Sequence, residues 1–206
     1  MRALGGLLFI LVVTTGCMDT APTSRGVYLV LDAEGVETDA LKRLTRQLIL
    51  GLEAGDTFAV ERLDGARTGG ESRLGVNLDG RPSVAVVERR ALLRQVDRLL
   101  EAEAAAEPVE GVAAMRRART FLEGTRCRNR IIVLATDLTA GEPEELGPHF
   151  GGYRFVALNV GDIGAGNEPW AYLRRVEAWR RAVEAREAEW TVANGMREAM
   201  GAILER

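Results

Sequence analysis

An apolar run that stops on a carboxylate constrains this chain more than any other feature. Gly26-Val27-Tyr28-Leu29-Val30-Leu31 leads into Asp32-Ala33-Glu34-Gly35-Val36. The pattern repeats at Ile131-Ile132-Val133-Leu134-Ala135, which leads into Thr136-Asp137-Leu138. An uninterrupted aliphatic strand is buried on both faces, and that is the environment of a parallel sheet covered by helices. Open sheets of this kind bind ligands outside the carboxyl ends of their strands. Asp32, Glu34 and Asp137 are therefore expected on one rim, and their use decides what the protein does.

The rest of the chain alternates strand and helix patterns. Thr38 or Asp39 can cap a helix whose Leu41, Leu44, Leu48 and Leu52 recur at helical spacing, and Gly55 ends it. A second strand is expected over Thr57 to Leu63. The short Leu74 to Leu78 segment can hairpin back beside it as an antiparallel edge strand. Ser83 opens a long helix with a stripe of Leu92, Val96, Leu99 and Leu100, and Gly111 to Leu122 forms the next. Tyr153 to Val160 reads as a strand. Pro169 to Ala185 reads as a helix with Leu173, Val176, Trp179 and Val183 on its apolar side. Trp190 to Ala193 and Met196 to Leu204 close the chain as strand and helix. This order predicts an α/β fold: a doubly wound, mostly parallel sheet with helices on both faces.

Residues 1–17 do not read as part of that fold. Arg2 precedes an apolar stretch, Leu7 to Val13, too short to span a bilayer, and Thr14-Thr15-Gly16-Cys17 follows. The pattern resembles bacterial lipoprotein signals, with Thr14 where an aliphatic residue is usual. Residues 1–17 are thus expected as a signal peptide, Cys17 as the lipidated residue, 18–25 as a tether and 26–206 as the domain. A lipid-anchored protein of the cell envelope, on its periplasmic or extracellular side, follows. The formal net charge of -3 gives no electrostatic reason to expect nucleic acid. Contact with a membrane is expected through the anchor only. Cys127 then has no disulfide partner, and it reads as a small residue at a helix-to-strand connection. His149 has no neighbours at zinc-ligand spacing.

In order and spacing these segments resemble a von Willebrand factor type A domain. Val27 to Asp32 looks like the family's first strand. Glu53-Ala54-Gly55-Asp56-Thr57-Phe58-Ala59-Val60 looks like the turn into its second. Ile131 to Leu138 looks like its fourth, which ends in Ser/Thr-Asp. The resemblance runs from about Val27 to Val160. It implies a binding or scaffolding module rather than an enzyme, with another protein as partner. The partner would meet a rim formed by Ala33, Gly35, Val36, Val109, Glu110, Thr136 and Leu138.

The resemblance also implies a metal site built from two Asp, two Ser and a Thr. Asp32 and Asp137 match the Asp positions. Glu34 and Val36 replace the Ser residues, and Pro108 to Val112, where the Thr is expected, holds no hydroxyl. Mg²⁺ takes oxygen ligands in near-octahedral geometry, so the site reads as degenerate and no cofactor is expected. The alternative is a tri-carboxylate site in which Asp32, Glu34 and Asp137 hold Mg²⁺ or another divalent cation. A third reading comes from Asp32-Ala33-Glu34-Gly35-Val36, which also resembles the nucleophile loop of haloacid-dehalogenase phosphatases. That chemistry needs a lysine late in the chain to balance the carboxylates, and Lys42 is the only lysine.

Overall fold

The computed structural model describes residues 24–32, 38–63, 72–102, 111–136, 138–139, 143–147, 149–158 and 169–205. The strands are β1 (Arg25–Leu31), β2 (Thr57–Arg62), β3 (Arg73–Asn77), β4 (Asn129–Ala135), β5 (Tyr153–Leu158) and β6 (Glu189–Ala193). The helices are α1 (Thr38–Leu50), α2 (Pro82–Glu101), α3 (Gly111–Glu123), α4 (Pro169–Glu184) and α5 (Met196–Leu204). A 3-10 turn covers Pro143–Leu146. The sheet order is β3-β2-β1-β4-β5-β6. All neighbours run parallel except the β2–β3 hairpin. The doubly wound sheet and its antiparallel edge strand are as the sequence predicts.

Successive residues of a strand point to opposite faces, and β1 feeds two cores in this way. Val27, Leu29 and Leu31 join an aliphatic layer with Leu41, Leu44, Leu48, Leu92, Val96 and Ile203 from α1, α2 and α5. Tyr28 and Val30 join a layer rich in aromatics, with Met115 and Leu122 of α3 and Tyr172, Trp179 and Val183 of α4. The result is a sheet between two helical layers. Among the described residues, no helix is long and apolar enough to cross a membrane.

Three details differ from the sequence expectation. β1 begins at Arg25, inside the stretch expected as tether. Arg25 is buried because its guanidinium meets a buried carboxylate, Asp56, 31 residues on. The apolar side of α4 is Tyr172, Val176, Trp179 and Val183, whereas Leu173 is 52% exposed. The true stripe has spacings of four, three and four residues, which keeps one helix face aligned. Leu173 lies a third of a turn off that line. α2 starts at Pro82 rather than Ser83, because Pro fits a first-turn position whose N–H has no helical acceptor.

Gly26 shows why the helix-to-strand connection needs small residues. A Cβ there would lie 2.7 Å from Leu122 Cδ2 and 3.2 Å from Cys127 Cβ. Cys127 is buried as a free thiol against that strand, as a packing residue would be.

Candidate functional site

The strand order reverses direction between β1 and β4, which makes their carboxyl ends the topological switch point. Leu31 is paired with Ala135, and the Asp32 N–H donates to the Ala135 carbonyl at 3.0 Å. The ladder thus carries Asp32 to the edge of the sheet beside Thr136. Asp32 is half-buried there. Cys17, Ala33, Glu34, Gly35, Val36, Val109, Glu110 and Asp137 lie outside the described residues.

The first residues after β4 are held from two sides. The Leu138 N–H donates to Thr136 Oγ1 at 3.1 Å, closing a short hydroxyl turn. The Trp179 indole N–H of α4 donates to the Leu138 carbonyl at 3.4 Å. Leu138 has φ 63°, a left-handed conformation that costs a non-glycine residue about 1–3 kcal/mol unless its surroundings impose it. Its side chain is 3% exposed within the aromatic layer, and that burial is what imposes it. Thr136 is equally buried. Both belong to the rim expected to meet a partner; in the structure both side chains are buried and set the path of the loop.

One polar cluster beside the rim is not visible in the sequence. Glu61, one residue from the carboxyl end of β2, is 2% exposed. Its carboxylate accepts the Tyr28 hydroxyl at 2.6 Å and Arg117 Nε of α3 at 2.8 Å. Burial, reinforced by the adjacent carboxylate, pushes the Tyr28 hydroxyl far above its ordinary pKa, so it remains a donor. A carboxylate buried under α3 and paired with Arg117, whose side chain reaches solvent, is an internal brace, not an exposed catalytic acid. The only sign in the sequence is a Glu in an otherwise apolar strand.

The donor chemistry does not fit the five-ligand cation site of the resemblance. The Val36 side chain has no oxygen, and no hydroxyl occurs from Pro108 to Val112. Thr136 Oγ1 is committed to a backbone N–H.

No protein-family model and no curated protein matches this sequence. Solved structures do match it. A von Willebrand factor type A protein from Catenulispora acidiphila aligns over 87% of this chain at 19% identity, with a TM-score of 0.54. A mutant of the PilB minor pilin from Streptococcus sanguinis aligns over 89% at 12% identity and a TM-score of 0.51. The pilus adhesin SpaC from Lactobacillus rhamnosus GG aligns over 90% at 9% identity and a TM-score of 0.53. This chain spans 40%, 60% and 30% of the lengths of those three proteins. With the strand order above, the chain has the von Willebrand factor type A fold.

Proposed function

We propose that this chain is a non-enzymatic protein-binding module of a bacterial cell envelope. The observation that carries the reading is the switch-point rim, where Asp32 stands half-buried beside the tightly held Thr136–Leu138 turn. A fixed scaffold presenting loops is how such folds make binding surfaces. The names of two proteins of the same fold, a minor pilin and a pilus adhesin, are consistent with it. In this reading residues 1–17 are a lipoprotein signal, Cys17 carries the lipid, 18–25 tether the domain, and the metal site is degenerate.

The test is photo-crosslinking in the source cell. A crosslinker at Thr139, exposed next to the turn after β4, should give a discrete protein adduct. One at Arg126, at the opposite pole, should not. Equal adducts from both positions, or none from the rim, overturn the reading. Turnover of generic phosphoesters that disappears in Asp32→Asn would replace it with the phosphatase. Lipidation is read separately: Cys17→Ser should release the protein from the membrane, and an N-terminus without acyl mass on Cys17 would exclude the anchor.

A further inference from the structure

The outward face of α4 is the least expected surface of the molecule. Trp170 is 77% exposed and Leu173 52%. With Arg174, Glu177, Ala178 and Arg181 they line a shallow groove of about 450 Å³. Solvated apolar residues clustered with arginines mark interaction surfaces rather than ordinary exterior.

Charge tells what the groove can accept. The Glu177 carboxylate is already bound by Arg180 at 2.8 Å and Arg181 at 2.9 Å. Arg174 has no acidic partner among the described residues. The face therefore carries an excess of guanidinium beside an apolar pair. An anionic membrane and an acidic protein segment both complement that chemistry.

Position separates the two. Helix α4 follows the carboxyl end of β5, so Trp170 stands on the rim side of the domain. Its other end is tied to the opposite pole, where the Phe150 N–H donates to the Arg186 carbonyl and Arg186 Nε to the Gly147 carbonyl. The chain enters β1 at Arg25, at that same far pole. A helix of 16 residues spans about 24 Å. In the lipid-anchor reading proposed above, the anchor joins the domain at Arg25, so Trp170 lies at the pole away from the membrane.

We propose that the Trp170–Arg181 face of α4 docks an acidic, amphipathic segment of a partner protein. Apolar side chains of the partner cover Trp170 and Leu173, and a carboxylate pairs with Arg174. The inference rests on the binding-module reading and extends its surface from the rim down one helix. Trp and Arg are the residue types that most often dominate binding energy at interfaces.

The test is selection from a random peptide display library on the purified full chain, repeated on Trp170→Ala and Arg174→Glu. Enriched peptides should combine Leu or Phe with Asp or Glu. They should bind each variant about tenfold or more weakly, the loss expected when an interface anchor is removed. A peptide with its acid changed to Arg should regain binding to Arg174→Glu, an outcome that misfolding cannot produce. Enriched peptides without acids, or with full affinity for both variants, overturn the proposal. So does the absence of enrichment. Peptides that depend on rim positions but not on α4 would refute the α4 surface and leave the module reading intact. Two rival occupants are read directly. A blue shift of the Trp170 emission, taken as wild type minus Trp170→Phe, on phosphatidylglycerol vesicles would assign the face to lipid. Concentration-dependent sedimentation lost in Trp170→Ala would assign it to a second copy. Either would sink the acidic-segment proposal.

Discussion

Two ends of the central strand pair are held by different means: the amino end of β1 by a buried ion pair, Arg25–Asp56, and the turn after β4 by neutral hydrogen bonds and apolar contact. Asp56, 1% exposed, accepts the Arg25 N–H at 2.9 Å, Arg25 Nη2 at 2.7 Å and the Glu53 N–H at 2.8 Å. Arg25 also donates to the Leu204 carbonyl at the end of α5 and to the Gly51 carbonyl after α1. One guanidinium thus joins β1, the end of α1, the turn into β2 and the end of α5. It satisfies helix-end carbonyls that would otherwise lack donors. The turn after β4 is held differently. Thr136, Leu138 and Trp179 hold their loop without an ionised group, and Asp32 reaches partial exposure. The difference is one of burial: the Arg25–Asp56 pair is sealed in the fold, while Asp32 stands at the sheet edge with part of its surface open to solvent.

The sharpest way to break that comparison is to remove one carboxylate from each pole. Asp56→Ala leaves the buried Arg25 with only the exposed Glu53 carboxylate, 3.7 Å away, as counter-charge; breaking a buried pair of this kind costs about 3–5 kcal/mol. Asp32→Ala removes a partly exposed carboxylate and keeps the backbone bond to Ala135, for an expected loss of about 1 kcal/mol. Urea unfolding of the two variants should differ by that margin. Equal losses would mean that the rim carboxylate is as structural as the buried one.

Trp179→Phe tests the rim from behind. It keeps most of the apolar volume and deletes the donor to the Leu138 carbonyl, for an expected loss of about 1–3 kcal/mol, the cost of a buried group left unsatisfied. Amide exchange at Leu138 and Thr139 should quicken more than at Arg25 or Asp56. Equal quickening at both poles would show that the indole serves the global fold and not the loop.

Much of the fold was legible because its signals are local. Ile131 to Ala135 and Val27 to Leu31 are apolar runs that only a covered parallel sheet can use, and both are strands in the central pair. The site was less legible because its determinants are distant in sequence. Arg25 looked like tether since its partner lies 31 residues away. Glu61 is not singled out in the sequence at all, since Arg117, its partner, is 56 residues away. Leu138 looked like a contact residue since a left-handed φ has no mark in a leucine. Along α4, Leu173 could be placed in the stripe only because Tyr172, one residue earlier, supplies the better phase.

A cation sharpens the same contrast with a smaller effect. Millimolar Mg²⁺ should raise the melting temperature little, because stabilisation requires concentrations well above the dissociation constant. The missing oxygens at Val36 and from Pro108 to Val112 argue against tight binding. Titration calorimetry with Mg²⁺, Mn²⁺ and Ca²⁺ checks this. Micromolar binding that vanishes in Asp137→Ala would make the rim a cation site. Binding that emerges only in Glu34→Ser would show that Asp32 and Asp137 still stand at ligand distance.

The smallest effect separates buried charge from exposed charge. Asp79, in the turn from β3 to α2, binds Arg81 Nε at 2.9 Å and also accepts the Arg81 N–H at 2.8 Å. The Arg81 guanidinium first, and that backbone N–H second, hold its carboxyl down at about 2, against an ordinary value of 3.8. A carboxylate whose folded pKa is depressed adds stability that is complete above the unfolded pKa. The contribution fades as pH falls from about 4 through about 2, where the folded form also takes up its proton. Water screens this pair, so the contribution is small. Asp79→Asn should therefore leave the urea midpoint at pH 7 nearly unchanged and flatten its fall over that acidic window. A large loss at pH 7 would place Asp79 with Asp56, among the charges the fold cannot lose. An unchanged acid slope would mean that Arg81 does nothing for it in solution.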